Sequence, residues 1–467
     1  MKTLFLQLFF CLVSFSSVLA QTTNYRQQVE QLALPILNIH TVNNEEPTCE
    51  YVAPPEGSMG ASIRNATKVP AQIVTTLHQD TLYDSGPYKK RESGTTIKIR
   101  GNTSAYADKK PYKLKLQTYT DFLYTDHKHA DRDWLLLPFS LKKVIGFKVN
   151  ELIGMPYTPN YQIVNVFINN DYRGLYMLTE SVSRNPECRI NIEEEEGFIT
   201  ELDPYWWNEN CNISTILHQD KRYRYTLKYP DTDDISLQQL DYIQNSLNQM
   251  ETAIAEGTYS TLIDVETFAK WLLGQDILGI WDSGGSNRFF AKYNSSPSSP
   301  IFIPCMWDFD TMAKTPEKWA RIHGEDIYYS VLMNSSNTTF SQTYQTLWNQ
   351  QKSTIFTQIS TYLTQLPTTS TWASLSTSWL IDQQRWENAN NSTLEEEKQI
   401  IKEWFDSRYS WLDNAIQQLP TSINTPKQAQ VPTRFYTIYG IPINTPKSSQ
   451  SLPRGLYIYN NKKVLIH

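Results

Sequence analysis

Two short stretches in the second half of the chain combine carboxylate and amide side chains in a pattern suited to phosphoryl transfer. The segment WDSGGSNRFFAKY contains Asp282 and Asn287, and the segment PCMWDFDTM contains Asp308 and Asp310. Transfer of a phosphoryl group needs one carboxylate near the acceptor hydroxyl. It also needs a second carboxylate and an amide oxygen to hold the metal ions that bridge the phosphates. Together the two segments supply these groups.

The order of these residues along the chain narrows the interpretation. Asp-x-x-x-x-Asn followed by Asp-Phe, after a sheet-rich region, is the order in which protein kinases carry the same groups. From spacing alone, a role of Asp282 and Asp308 as helix caps or as ligands of a structural cation is as compatible with the sequence as a catalytic role. A third interpretation makes Asp308 and Asp310 the acid and base of a carbohydrate-active hydrolase, but nothing else in the sequence supports a sugar cleft.

A matching cation is expected on a strand of the first half. Tyr112-Lys113-Leu114-Lys115 has the form of the V-A-I-K strand that carries a phosphate-binding lysine, with Lys115 in the fourth place. A glutamate of the following helix should pair with this lysine, and Glu151 is the best-placed candidate. Arg100 opens an RGNTS stretch that is either a tight turn over phosphates or merely a turn. The alternative for both lysines is a solvated strand face.

The hydrophobic periodicity predicts which elements position these residues. The first part of the chain alternates like β-strands, and PYKLKLQ places Lys113 and Lys115 on one face. A helix is predicted from Leu141 to Gly154, and YQIVNVFI and YRGLYMLTE are predicted to form a hairpin. Helices dominate thereafter, most clearly over Val265–Leu278 and Leu394–Gln418. The fold class predicted is α+β, with a sheet-rich N-terminal lobe and a helical C-terminal lobe.

Composition excludes several classes of protein. The chain has 467 residues, 42 Lys and Arg against 48 Asp and Glu, and a formal net charge of −6. With no long basic run, this balance gives no electrostatic footprint for a nucleic-acid partner. Only 17 residues are glycine, which disfavours glycine-rich nucleotide-binding folds. The aromatic content of 13% is enough for a large core and excludes wholesale disorder.

The N-terminus predicts export. Residues 1–20 carry one cation at Lys2, an apolar run and small residues before Gln21, which is typical of a signal peptide. No other apolar stretch reaches the length of a transmembrane segment, so the protein is expected to be secreted or held at the cell surface. Four cysteines follow, namely Cys49, Cys188, Cys211 and Cys305. They allow three pairings, and the spacing of Cys188 and Cys211 suits a loop staple.

His127 and His129 form a short His-x-His pair. A zinc site needs further ligands at suitable spacing, and the sequence near this pair does not offer them. The pair is therefore interpreted as part of a solvated loop.

The last residues, 421–467, predict a small β unit. Leu452–His467 has the pattern of a hairpin, GLYIY and KKVLI around Asn460-Asn461. This end resembles the C-terminal sorting tails of exported Bacteroidetes proteins, which implies contact with a secretion machinery and delivery outside the cell. The alternative is an ordinary terminal hairpin.

Residues 21–420, between these ends, resemble the CotH family of spore-coat kinases, which are atypical protein kinases. The resemblance runs from about Leu34 to Asp413, and its motifs occur in the family's order. They are IKIRGNTS, KKPYKLKL, VNVFINNDYRGLYMLTE, GFITELD, LKYPD, DSGGSNRFF and MWDFD.

The resemblance implies a two-lobed protein-kinase-like fold and phosphorylation of serine or threonine in a protein substrate, with ATP and Mg²⁺ or Mn²⁺. Asp282 would be the catalytic base, and Asn287, Asp308 and Asp310 would bind metal. Lys115 would contact phosphate, and the other residues expected to bind the nucleotide are Lys113, Arg100, Glu151 and Glu180. Glu201 and Asp203 fall, like Glu180, where the chain should cross between lobes. The alternative is a catalytically silent surface adhesin on the same scaffold.

Overall fold

The computed structural model describes residues 24–59, 62–64, 66–218, 222–282, 287–312, 315–320, 322–326, 328–387, 392–419, 436–437, 455–459 and 462–466. The predicted signal peptide lies outside the described residues. The chain divides into two compact units, Met1–Gln417 and Gln418–His467.

The first unit begins with an eight-stranded sheet that closes on itself. Its order is β1-β9-β10-β8-β7-β6-β4-β5, and β1 pairs with β4 as well as with β9. The β1–β9 pairing is parallel and the β1–β4 pairing is antiparallel. The strands are β1 (Ile36–Thr41), β4 (Val69–Leu77), β5 (Asp80–Asp84), β6 (Thr95–Ile99), β7 (Tyr112–Thr120), β8 (Asp131–Pro138), β9 (Tyr161–Ile168) and β10 (Asp171–Glu180).

Alternation along these strands separates a core from a polar face. The apolar core of the sheet includes Ile97, Leu114, Leu116 and Trp134. On β7 the intervening Lys113 and Lys115 face the other way, as the sequence predicted. The predicted hairpin is also confirmed, because β9 and β10 pair in antiparallel fashion across two asparagines with positive φ.

A second, five-stranded sheet has the order β12-β13-β11-β14-β15. Its strands are β11 (Phe198–Asp203), β12 (Asn212–Ile213), β13 (Arg224–Tyr229), β14 (Arg288–Lys292) and β15 (Ile301–Phe302). A separate hairpin joins β2 (Glu50–Val52) and β3 (Ser62–Arg64). Short 3₁₀ turns occupy Val42–Asn44, Thr103–Tyr106, Trp206–Asn208, Tyr259–Thr261 and Leu366–Thr368.

Helices dominate the second half of this unit. After α1 (24–29) and α2 (Leu141–Leu152), they are α3 (Leu237–Glu256), α4 (Val265–Leu278), α5 (Ile322–Glu325), α6 (Tyr329–Asn334), α7 (Thr339–Gln365), α8 (Trp372–Trp386) and α9 (Leu394–Gln417). The mixed α+β architecture, with a sheet-rich N-terminal and a helical C-terminal region, is confirmed. In the described part of the chain, no helix is both long and apolar enough to cross a membrane.

The second unit contains β16 (Tyr436–Thr437), β17 (Gly455–Tyr459) and β18 (Lys462–Ile466) in one antiparallel sheet. Strands β17 and β18 form the hairpin predicted from GLYIY and KKVLI.

The predicted disulfide staple is wrong. Cys49, Cys188, Cys211 and Cys305 are all free thiols. Cys188 lies between β10 and β11, whereas Cys211 lies just before β12 of the second sheet. The number of residues between two cysteines does not show whether their thiols lie close together in space. Here the segment between Cys188 and Cys211 includes strand β11, so it is not a simple loop.

Candidate active site

One cavity of about 1050 Å³ brings most of the predicted residues together. Its walls come from β6 to β8, α2, β11, β13 and two further segments. These two, called the acidic segments below, carry Asp282 with Asn287 and Asp308 with Asp310. The predicted residues that line it are Arg100, Lys113, Lys115, Asp282, Asn287, Asp308, Asp310, Glu201 and Asp203.

The two acidic segments are joined through their backbones. Ile280 forms an antiparallel bridge with Met312, and Trp281 N donates a hydrogen bond to Thr311 O at 3.1 Å. Asp282 N donates to Thr311 Oγ1 at 3.2 Å. This pairing holds Asp282, four residues after the end of α4, beside the Asp308–Asp310 stretch, although 26 to 28 positions separate them in sequence.

Asn287 and Asp308 both adopt left-handed backbone conformations, with φ of 61° and 62°. Asn and Asp tolerate this region better than most residues, and such conformations are typical of functional sites. Asn287 N donates to Glu201 Oε1 at 3.3 Å, which ties the first segment to β11. Two of the three residues predicted to bind metal, Asn287 and Asp308, therefore occupy specific, mildly strained backbone positions.

Helix α2 holds the Asp308 segment from behind. The buried Asn150 accepts a hydrogen bond from Met306 N at 2.7 Å and donates to Tyr157 O at 2.8 Å. A Cβ on Gly146 would lie 2.0 Å from Phe309 Cγ, so only glycine lets this ring pack against the helix. Phe147 adds an edge-on contact to Phe309, with ring centroids 5.4 Å apart. Packing against α2 thus fixes the residue between the two aspartates.

The cavity contains nearly balanced charge on two different walls. Its cations are Lys98, Arg100, Lys109, Lys113, Lys115, Lys143 and Lys228, and its carboxylates are Asp133, Glu201, Asp203, Glu209, Asp231, Asp282, Asp308 and Asp310. Most of the cations belong to β6, β7 and the turn between them, whereas most carboxylates belong to the second sheet and the two acidic segments. A polyanion cannot be held here by basic residues alone, since the opposite wall is negative.

Three ion pairs connect these charges. Lys113 Nζ lies 2.7 Å from Asp133 Oδ1, and Lys143 Nζ lies 2.7 Å from Asp310 Oδ1. On the second sheet, Lys228 Nζ lies 2.8 Å from Glu201 Oε2. Each pair keeps a charged group in the cavity oriented without a ligand.

Burial and neighbouring charges shift several of these groups. Asp308 opens onto the cavity, but the walls limit its hydration, and this desolvation raises its pKa above the ordinary value. Asp310 raises it further, while Lys143 and Arg100 oppose the shift. Desolvation and the nearby Glu201 raise the pKa of Asp203 to about 7. Two carboxylates of the cavity therefore favour a bound proton or cation more than an ordinary aspartate does.

Glu151 is not among the described residues that line the cavity, so its expected pairing with Lys115 is corrected. Its carboxylate instead accepts a hydrogen bond from Lys148 at 2.9 Å on an exposed part of α2. Successive residues are rotated by about 100° around a helix axis, so a difference of one position is enough to move a side chain from one face of the helix to another. The helix contributes Lys143 to the cavity in its place, and Lys113 pairs with Asp133 of β8.

Glu180 lies beneath the cavity wall and is completely buried. Its carboxylate accepts hydrogen bonds from His129 Nδ1 at 2.9 Å, Tyr157 OH at 3.1 Å and Asn160 N at 2.8 Å. The structure does not bring it to the cavity surface with Arg100 and Lys113.

Sequence reasoning missed Lys98, Asp133, Lys143 and Lys228. Lys98 had a signal, because it alternates with Arg100 along TTIKIR and pairs in register with Lys113. The other three depend on how separate elements meet, and no local pattern marks them.

The comparison with known families identifies the family of this chain. The family described as "CotH kinase protein" matches residues 97–412. The match spans more than half of the chain and includes every predicted cavity residue, so the chain belongs to the CotH kinase family. A search of curated proteins found no match.

The packing of Phe309 on Gly146 can be tested with Gly146→Ala. Alanine in place of glycine usually stabilises a helix by roughly 0.5–1 kcal/mol. Here we expect a loss of roughly 1–3 kcal/mol in the free energy of unfolding, because the new methyl group overlaps the Phe309 ring. Denaturant unfolding measures the change, with Glu151→Ala on the exposed part of α2 as the control. A stabilised Gly146→Ala variant would contradict this packing.

The shifted pKa of Asp203 predicts a pH-dependent stability. Its folded pKa of about 7 lies above the ordinary value of 3.8, so the folded chain loses stability as pH rises through this window. Asp203→Asn removes the buried charge and keeps an acceptor for Tyr205 N. We expect the variant to melt above the wild type at pH 8 and the difference to shrink towards pH 4. Calorimetry at several pH values measures it, and a pH-independent difference would contradict the shift.

Proposed function

We propose that this protein transfers the γ-phosphoryl group of ATP to serine or threonine hydroxyls of a protein substrate. In this proposal the chain has a two-lobed protein-kinase-like arrangement, and Mg²⁺ or Mn²⁺ is its cofactor. The observation that carries the proposal is the meeting of Asp282, Asn287 and Asp308 in one cavity opposite the cationic face of β6 and β7. Family membership alone supports a kinase-like function and leaves the substrate open.

The acidic wall fits divalent cations. Carboxylate and amide oxygens are the ligands that Mg²⁺ and Mn²⁺ prefer, and Asn287, Asp308 and Asp310, which all line the cavity, carry such oxygens. The ions would neutralise charge on the phosphates, which phosphoryl transfer requires. The ion pair between Asp310 and Lys143 keeps one of these carboxylates oriented towards the site.

The opposite wall fits the phosphates. Lys98 and Lys113 are cross-strand partners on β6 and β7, and Arg100 follows β6 and lines the same cavity. Burial and the neighbouring Lys113 lower the pKa of Lys98, so a phosphate that arrives there relieves the repulsion between the two lysines. In this assignment, Lys113 with Asp133 takes the role that was predicted for Lys115 with Glu151.

In this proposal Asp282 receives the proton of the acceptor hydroxyl. It is exposed at the cavity, and the contact of its backbone N with Thr311 Oγ1 fixes its position. Trp281, next to it, exposes 61% of its surface. In this proposal the acceptor side chain approaches Asp282 from solvent.

Export is part of the same proposal. The signal-peptide pattern of residues 1–20 and the sorting-tail pattern of residues 421–467 support secretion or display at the cell surface through a secretion machinery. The acceptor is then a protein that the chain meets outside the cytoplasm.

A phosphotransfer assay tests the proposal. The purified protein is incubated with γ-labelled ATP, Mg²⁺ or Mn²⁺ and a generic acceptor protein. We expect Asp282→Asn and Asp308→Asn each to lower the rate by about 10²–10⁴-fold, the usual contribution of a positioned catalytic group. Glu151→Gln is the matched control and should retain wild-type activity, because Glu151 lies outside the cavity.

Two outcomes would contradict the proposal: no label transfer with either metal, or equal transfer in wild type and Asp282→Asn. Thermal stability with ATP and metal then separates the remaining possibilities. A ligand at a hundred times its dissociation constant adds about 2.7 kcal/mol of stability. Stabilisation without transfer would indicate a nucleotide-binding protein without catalysis, and no stabilisation would favour an adhesin.

A further inference from the structure

Behind the cavity wall, His129, Glu180 and Cys188 form a cluster that the phosphoryl-transfer site does not use. His129 Nδ1, a carboxylate oxygen of Glu180 and Cys188 Sγ all lie within 4.8 Å of one another. His129 Nδ1 is 2.9 Å from Glu180 Oε1. Glu180 is fully buried, and the other two residues are half-buried. The interpretation of His129 as part of a solvated loop is therefore wrong.

Three separate segments meet at this cluster, and hydrogen bonds fix each of them. His129 belongs to the loop between β7 and β8, Glu180 ends β10, and Cys188 lies in the loop after β10. Asn185, in the same loop as Cys188, donates to Ala130 O at 3.1 Å and to Asp131 Oδ2 at 2.8 Å. The three ligand atoms are thus held together by the fold.

We propose that His129, Glu180 and Cys188 bind a zinc ion. Imidazole nitrogen, thiolate sulfur and carboxylate oxygen are the ligands found at zinc sites, whereas Mg²⁺ and Ca²⁺ prefer oxygen alone. Around a tetrahedral zinc ion, such ligand atoms lie roughly 3.3–3.6 Å apart, as follows from bonds of about 2.0–2.3 Å. The observed separations require small shifts to reach this geometry. Three protein ligands leave a fourth position for water.

The surroundings of Glu180 resemble the outer shell of a metal site. Tyr157 OH and Asn160 N donate to Glu180 Oε2, which orients the carboxylate and leaves Oε1 directed at His129. Arg189 Nε is 4.0 Å from Glu180 Oε1 and would repel a cation. Its charge is offset, however, because Arg189 Nη1 lies 3.2 Å from Asp131 Oδ1.

Because Cys188 is one of the proposed ligands, zinc binding should release a proton. A thiol has an ordinary pKa of about 8.5. A metal-free cysteine is therefore mostly protonated near pH 7, and a zinc ion must displace its proton to solvent as the Zn–S bond forms. Zinc binding near pH 7.5 should release about one proton from Cys188 for each ion bound.

The zinc site adjoins the nucleotide cavity without being part of it. Ser181 and Ser183 line the cavity, and both accept hydrogen bonds of 2.8 Å from Nη1 of Arg189. Arg189 directly follows the proposed ligand Cys188 in the chain. A zinc ion joining the three segments would stiffen this wall. The inference does not rest on the proposed kinase activity, since a chain that transfers no phosphate would bind zinc equally well.

Metal titrations of the full chain test the proposal. Zinc is titrated against a chelating indicator, and Co²⁺ is used as a spectroscopic substitute whose near-ultraviolet band reports a bond to thiolate. We expect one zinc ion per chain and a Co²⁺–thiolate band. In Cys188→Ser the band should vanish and zinc affinity should fall at least about 10–100-fold, the loss seen when even an outer-shell partner is removed.

Two control variants separate this site from others. Cys211→Ser removes a half-buried thiol elsewhere and should keep both the band and the affinity. Asp308→Asn removes a carboxylate of the nucleotide cavity and should also leave the Co²⁺–thiolate band unchanged. Circular dichroism confirms that each variant is folded.

Proton release and a histidine variant test the site independently, in case Cys188→Ser does not fold. Zinc should release about one proton per ion from the wild type and from Cys211→Ser, and His129→Asn should weaken binding while the thiolate band is reduced. The proposal is overturned if the wild type binds no zinc, if Co²⁺ shows no thiolate band, or if zinc affinity is unchanged in folded Cys188→Ser.

Discussion

The candidate site depends on one hydrogen bond and the packing around it, the contact of Met306 N with the buried Asn150 of α2. The segment that follows must present Asp308 in a left-handed conformation and keep Asp310 on the same cavity wall. Burial of Met306 and Phe309 offsets the cost of that conformation, and the glycines at 146 and 274 make room for these two side chains. Without this anchoring to α2 and α4, the two carboxylates would lie on an ordinary loop.

The charge distribution follows from the same anchoring. The closed sheet directs Lys98 and Lys113 to its polar face, while the second sheet and the anchored segment bring carboxylates to the opposite wall. In the proposed function, a chain with few glycines and a net negative charge holds a phosphorylated ligand between a cationic strand face and metal-binding side chains, without a glycine-rich cradle or a basic surface. This separation of cations and carboxylates within one cavity is the physical basis of the proposed function.

Local patterns in the sequence predicted elements that depend on short-range periodicity. Alternation placed Lys113 and Lys115 on one strand face, asparagines marked the β9–β10 turn, and apolar spacing marked α9. The spacing of the acidic segments also identified residues that share a cavity. The closure of the sheet through β1 and β4 was not predictable, because the pairing joins strands that are separated in sequence and no local signal encodes it.

The misassigned residues have the same explanation. Glu151 was the natural partner for a lysine in sequence, but helix rotation turns it towards Lys148, and Lys143 reaches the cavity instead. His129 lacked neighbouring ligands in sequence because Glu180 and Cys188 arrive from other segments. Side chains that act together across elements become visible only in three dimensions.

The central claim, that Asn287 and Asp308 hold metal beside the phosphates of a nucleotide, is tested most directly by a crystal structure with Mn²⁺ and a non-hydrolysable ATP analogue. Anomalous scattering locates the manganese. The account predicts a peak at coordination distance, about 2 Å, from side-chain oxygens of both residues, with the phosphates facing Lys98 and Lys113. A manganese peak away from both residues, or a nucleotide outside this cavity, would contradict it.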